Sequence, residues 1–201
     1  MKRLIIPLVL VLLLGSCGPA AVTGAAAPRA RKGVLDLAGW DFAKQGPVML
    51  QGAWEFRWET YTDPAAPAAP GTPFIDAPGI WNGRPVDGKS LPAKGFATYR
   101  LKVTVPDTGK SLSLKMPTVS TAFRLFVNGR EIAHAGTPGM DARTTVPAYA
   151  PGVVDLPVSG GPIDIVLHVA NFHYRKGGIW HGILLGLEKD IRAIYVGNIF
   201  I

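Results

Sequence analysis

The chain has 201 residues, enough for one ordinary domain of roughly 100–200 residues with a short appendage and too few for a second full one. Only 17% of the residues are charged, while Gly (24) and Pro (18) together exceed a fifth of the chain, a balance that favours short strands joined by turns over helical bundles. The formal charge of +7 invites a nucleic-acid reading, but Lys2, Arg3, Arg29, Arg31 and Lys32 supply most of it from the N-terminal region, and the remaining basic residues are interspersed with acids. No nucleic-acid partner is expected.

Lys2 and Arg3 form a short basic region, Leu4 to Leu14 an apolar core, and Leu14-Gly15-Ser16-Cys17 a small-residue processing site, the order of a secretory signal. As a helix the apolar stretch would span only about 16 Å against a hydrocarbon core of about 30 Å, so it predicts cleavage rather than a lasting membrane span. Leu-Gly-Ser-Cys resembles the lipobox of bacterial lipoproteins, which implies that Cys17 is diacylated and becomes the mature N-terminus. An ordinary signal peptide beside a chance cysteine is the alternative. Cys17 is the only cysteine, so no internal disulfide can form. Residues 18–32, rich in Ala, Pro and Gly, read as a disordered tether with a reach of about 20–25 Å. The expected location is periplasmic or cell-surface, anchored to a membrane through lipid on Cys17. Gly18, rather than Asp, after the cysteine is similar to lipoproteins sorted to an outer membrane.

From Val34 onward the apolar pattern has the period of two that marks strands, with no amphipathic helix longer than two turns. Trp54, Phe56 and Trp58 alternate with Glu55 and Arg57. Tyr99, Leu101, Val103 and Val105 alternate with Arg100, Lys102 and Thr104, and after the turn residues Pro106-Asp107-Thr108-Gly109 a further strand carries Leu112, Leu114 and Met116. Phe123, Leu125 and Val127 run into Asn128-Gly129, the dipeptide best suited to the two positive φ angles of a type I′ hairpin, and Arg130 to Ala135 is the returning strand. Ile163 to Val169, nearly all apolar, predicts a strand central to a sandwich, and Ile183 to Leu185 a last short one. Between these lie loops at 62–73, 83–95 and 136–152, the places where an all-β frame usually carries ligand contacts. Residues 33–190 therefore form the expected domain. Residues 191–201 stay apolar to the end, which predicts either a docked last strand or a chain cut short of a further region.

Several segments in order carry a resemblance: Leu35-Asp36-Leu37-Ala38-Gly39-Trp40-Asp41-Phe42, Gly52-Ala53-Trp54-Glu55-Phe56, Pro78-Gly79-Ile80-Trp81-Asn82, Gly95-Phe96-Ala97-Thr98-Tyr99-Arg100-Leu101, Phe126-Val127-Asn128-Gly129 and Asn171 to Trp180. The series resembles the periplasmic galactose-binding-like domain of bacterial seven-transmembrane receptors with diverse intracellular signalling modules. More distantly, its Val-Asn-Gly and Pro-Gly-x-Trp segments resemble the sugar-binding jelly-roll domain of β-galactosidase-like glycoside hydrolases. The resemblance implies an all-β jelly-roll sandwich of galactose-binding-domain-like fold with a sensory, non-catalytic role. It also implies membrane helices and an output domain, which this sequence lacks after residue 190, so a transmembrane signalling partner or a missing C-terminal receptor region is expected.

The stretch Asn171-Phe172-His173-Tyr174-Arg175-Lys176-Gly177-Gly178-Ile179-Trp180-His181 leaves the central strand and crowds polar and aromatic groups beside paired glycines. Asn171, His173, Tyr174, Arg175 and His181 can hydrogen-bond hydroxyls or carboxylates while Trp180 offers a flat face, so a small-molecule ligand, carbohydrate or carboxylate, is expected there. The alternative is a structural corner in which Asn171 satisfies loop backbone and Trp180 plugs the sandwich end. Trp81 and Asn82 are candidates at the same end, and Arg124 is a candidate on the sheet face opposite Phe123. Trp40, Trp54 and Trp58 read as core.

No metal site or cofactor is expected: His173 and His181 are eight apart, and His134 and His168 stand alone in sequence. Catalysis is not expected either, because Glu55, Glu59, Glu131 and Glu188 are scattered with nothing marking a working pair. Three readings follow. The chain is an extracytoplasmic ligand-binding or sensory domain, an accessory carbohydrate-binding domain related to glycoside hydrolases, or an envelope lipoprotein that docks another protein.

Overall fold

A computed structural model describes residues 27–197; the signal segment, Cys17 and the first part of the tether lie outside the described residues. The strands are β1 (Val34–Asp36), β2 (Val48–Met49), β3 (Gly52–Trp58), β4 (Phe74–Ala77), β5 (Gly79–Ile80), β6 (Pro85–Val86), β7 (Lys89–Ser90) and β8 (Gly95–Val105). After them come β9 (Leu112–Met116), β10 (Val119–Ser120), β11 (Ala122–Val127), β12 (Arg130–Ala135), β13 (Gly152–Asp155), β14 (Gly161–Asn171), β15 (Gly178–Ile179) and β16 (Leu184–Leu187). Two helices accompany them, α1 (Phe42–Gln45) and α2 (Glu188–Gly197).

The larger sheet runs β12-β11-β14-β8-β3-β4, with β1 added in parallel beside β8. The smaller runs β13-β9-β16-β2. Alternation decides which side chains fill the space between them. From the larger sheet come Trp54, Phe56, Tyr99, Leu101, Leu125 and Leu167, and from the smaller Val48, Leu114 and Leu185, all within one continuous buried cluster. Asn128 and Gly129 turn the β11–β12 hairpin with φ of 49° and 79°, as the dipeptide predicts.

Ile163 to Val169 does lie in a central strand, β14, paired with β11 on one side and with β8 over eleven residues on the other. Its outer face, which carries Val166 and the polar His168, is buried as well, because residues 59–73 lie across the outside of the sheet. Thr62 N–H donates to Thr98 Oγ1 (3.1 Å), His168 Nε2 meets the Thr62 carbonyl (2.9 Å), and Arg100 Nη1 reaches the Ala66 carbonyl (2.6 Å). Beneath this strap Arg100 also pairs with Asp164, Nε to Oδ1 at 2.9 Å, with the arginine almost wholly buried.

Two boundaries differ from the sequence reading. Packing begins before residue 33: Ala30 is buried, and its N–H donates to the Gln51 carbonyl (2.7 Å). The C-terminal run is neither a strand nor shorter than two turns, since α2 holds ten residues, nearly three turns at 3.6 per turn. Ile191 is fully buried, and Arg192 and Tyr195 tie the helix to Asp155 (2.6 Å) and the Pro151 carbonyl (3.3 Å). It covers the outside of the smaller sheet as the strap covers the larger. Among the described residues no helix is long and apolar enough to cross a membrane.

Candidate functional site

A third, three-stranded ribbon, β10-β15-β5, closes one end of the sandwich. It brings together what the sequence separates: Gly178 pairs with Ile80, and Val119 with Ile179. Trp81 and Asn82 therefore do lie at the same end as the loop following β14. Asn82 bridges that loop, donating from Nδ2 to the Arg175 carbonyl (2.8 Å) and accepting at Oδ1 from Gly177 N–H (2.9 Å).

The most deeply placed candidates are spent on this architecture. Asn171 is fully buried; its Nδ2 donates to the carbonyls of Ala93 (2.8 Å) and Tyr174 (2.9 Å), and its Oδ1 accepts from Tyr174 N–H (3.1 Å). Trp81 is equally buried, its indole N–H donating to the Ala93 carbonyl (3.2 Å). A Cβ on Gly177 would stand 2.2 Å from the Trp81 ring, so this glycine lets the loop close directly over the indole. No ligand reaches Trp81 or Asn171 without unpacking the end of the sandwich, and Asn82 has both ends of its amide engaged. Arg124 sits elsewhere, exposed on the outer face of the larger sheet, in register with His134 on β12 and His168 on β14 and 4.0 Å from Glu131. Although far apart in sequence, His134 and His168 thus flank one arginine.

Tyr174 and Trp180 have a different fate. With Thr118, Val119, Ser120 and Thr121 on one side and Pro147, Ala148 and Tyr149 on the other, they line an open groove of about 500 Å³. That is within the range of about 300–1,000 Å³ usual for small-molecule sites. Tyr149 is 78% exposed and Tyr174 43% exposed, while Trp180 is half-buried and backs Tyr174 with ring centroids 5.2 Å apart. The Trp180 indole N–H is buried without a hydrogen-bond partner, so packing alone holds that ring. Thr118 and Ser120 make no side-chain hydrogen bond among the described residues, while the Thr121 hydroxyl donates to the Ala170 carbonyl (3.3 Å).

The groove walls are fixed. Ala148 N–H donates to the Thr121 carbonyl (3.0 Å), and Thr121 N–H to the Ala170 carbonyl (2.6 Å). His173, a predicted contact, instead joins the two loops: its Nε2 lies 3.1 Å from the Thr145 carbonyl. Arg175 and His181 are exposed beside the groove's own segment. The residues that sequence reasoning missed are Thr118 to Thr121 and Pro147 to Tyr149. Pro147 to Tyr149 had only the general signal that 136–152 is a loop on a rigid frame, and Thr118 to Thr121 had none.

No protein-family model matches the chain, and no curated protein matches its sequence. Solved structures do match its shape. One is a β-glucuronidase of Faecalibacterium prausnitzii, with TM-score 0.54 and 17% identity over 69% of this chain and 31% of that one. Another is a β-glucuronidase from an uncultured Clostridium, with TM-score 0.54 and 17% identity over 69% of this chain and 28% of that one. A family 2 glycosyl hydrolase of Bacteroides cellulosilyticus has TM-score 0.55 and 17% identity over 70% of this chain and 20% of that one. The fold is a galactose-binding-domain-like β-sandwich. It corresponds to the distant jelly-roll relation, and at such identities the likeness establishes fold alone. The chain spans less than a third of each of these neighbours.

Proposed function

We propose that this chain is a non-catalytic carbohydrate-binding domain held at the cell envelope through lipid on Cys17. The observation that carries this reading is the groove at the β10-β15-β5 end, which two exposed tyrosines line together with the hydroxyl residues Thr118, Ser120 and Thr121. A pyranose has one face of C–H groups and a rim of hydroxyls. Tyr149 and Tyr174 suit the first, and Thr118, Ser120 and Thr121 the second. The whole neighbours are named as glycosidases, which agrees with a saccharide ligand for a domain of this shape. No carboxylate lines the groove, and two-carboxylate glycoside hydrolysis needs a pair about 5–10 Å apart, so binding without turnover is the chemistry these residues serve.

A glycan array probed with the purified chain tests the proposal, followed by incubation of each bound glycan with the chain and chromatography of the products. Binding to at least one class, reduced by Tyr174→Ala and without cleavage, is expected. Absence of all binding, or release of a shorter glycan, contradicts it.

A second reading rests on the ordered motif series from Leu35 to Trp180: the same groove serves as the sensory end of a signalling receptor or of its lipoprotein partner. Crosslinking in the native envelope separates the two, since a sensory domain is captured with a membrane-spanning partner and an accessory domain is not.

A further inference from the structure

Resting on the saccharide reading of this groove, we infer that its preferred ligands are acidic saccharides, chains bearing uronate carboxylates, rather than neutral ones. The groove's polar lining is made of hydroxyls, and no acid side chain contributes to it. Between its two lining residues Tyr174 and Trp180 the chain carries Arg175 and Lys176, both exposed. Among the described residues neither forms an ion pair. The Lys176 ammonium lies 5.8 Å from the centroid of the Trp180 ring, and Asn82 clamps the backbone on either side of it. Both cations are thus carried on fixed backbone.

In the loop across the groove, Asp141 offers no competing partner. Its carboxylate accepts from the N–H groups of Arg143 (2.9 Å) and Thr144 (2.8 Å) and from the Thr144 hydroxyl (2.9 Å), all within its own turn. A sugar ring seated against Tyr149 and Tyr174 lies beside the segment that carries these two uncommitted cations, and no acid side chain lines the groove. Charge-assisted hydrogen bonds are roughly twice as strong as neutral ones, and a partly covered site screens them less than open water does. A guanidinium adds the planar fork that matches a carboxylate. A neutral saccharide uses the rings and hydroxyls but leaves Arg175 and Lys176 unused.

The test is calorimetric titration of the whole chain with three probes: a galacturonan oligomer, a neutral galactan of equal length, and citrate as carboxylates without a ring. The galacturonan binds about tenfold more tightly than the galactan at low salt, and the gap narrows as salt rises toward about 0.5 M. Lys176→Gln and Arg175→Gln each weaken galacturonan binding about threefold to tenfold and leave galactan binding unchanged, with thermal melting confirming that these exposed substitutions do not alter the fold. Equal affinity for galactan and galacturonan overturns the acidic preference while leaving the saccharide reading intact. Citrate binding as tightly as galacturonan overturns it too, because the rings then contribute nothing. If neither oligomer binds, the acidic preference falls, and the glycan array decides the saccharide reading separately.

Discussion

At the residue scale, the shape of this end of the sandwich depends on side chains buried within it. Asn171 replaces, within a fully buried corner, the backbone partners that a loop leaving a strand would otherwise lack. Asn171→Ala orphans the N–H and carbonyl of Tyr174 and empties a fully buried side-chain site, so a loss of about 1–3 kcal/mol in urea denaturation is expected. The Ala93 carbonyl adds less, because it keeps the Trp81 indole N–H. Gly177→Ala tests the neighbouring contact. The new methyl meets the Trp81 ring, and overpacking typically costs about 1–3 kcal/mol, read as an earlier unfolding midpoint with unchanged slope. A midpoint equal to that of the native chain in either variant contradicts the tight corner described above.

At the element scale, the strap of residues 59–73 and helix α2 explain why this sandwich buries both outer faces in part. His168 is the pH-sensitive member of the strap contact, since burial holds its pKa below the ordinary 6.5. The unfolded chain binds that proton near 6.5 and the folded chain only at lower pH, so the fold loses stability as pH falls through the range below 6.5 and regains it as pH rises. His168→Gln, which cannot titrate, flattens that part of the stability profile measured by denaturation from pH 7 down to about 5. For α2, Ile191→Ala removes a fully buried side chain beneath the helix and costs about 2–4 kcal/mol, whereas Arg192→Ala, on an exposed ion pair, leaves the unfolding midpoint almost unchanged.

The strands β3, β8, β9, β11, β12, β14 and β16 were legible in the sequence because alternation is a direct imprint of one buried face, and Asn128-Gly129 marks its hairpin by backbone sterics alone; β2, β4 and β13, of two to four residues each, are too short for alternation to single them out. Helix α2 was not legible. Its core contacts reduce to Ile191 with Ile194 and Tyr195 partly covered, too few apolar positions to stand out from a run that continues to the chain end. The strap was read as a plain loop because its hold on the sheet uses mostly backbone groups, which every residue has. The site was half legible. The aromatic and basic character of residues 171–181 was visible, but the roles were mixed: a buried asparagine clamp, an exposed tyrosine and a glycine over an indole look alike as letters. Tyr149 gave no sign of its place among Ala and Pro residues, since only the tertiary fold brings it to the groove that Tyr174 also lines.

At the scale of the whole molecule, one buried cluster holds two sheets and a short ribbon in a single frame, and the ribbon is what joins β5, β10 and β15 into an end with a groove. The loops that carry the groove's rings are tied to that frame by the Ala148–Thr121 and Thr121–Ala170 backbone bonds and by Asn171 and His173, which lowers the ordering cost of binding. That preorganisation is the reason for placing saccharide recognition here rather than at the exposed Arg124 row on the sheet face. The most direct test compares the whole chain with its Tyr149→Ala/Tyr174→Ala variant in calorimetric titrations against galactan and galacturonan oligomers. Saccharide heat in the native chain that vanishes in the variant, with melting temperature unchanged, is the predicted result; a variant that binds as the native chain does, or a native chain that binds neither oligomer, contradicts it.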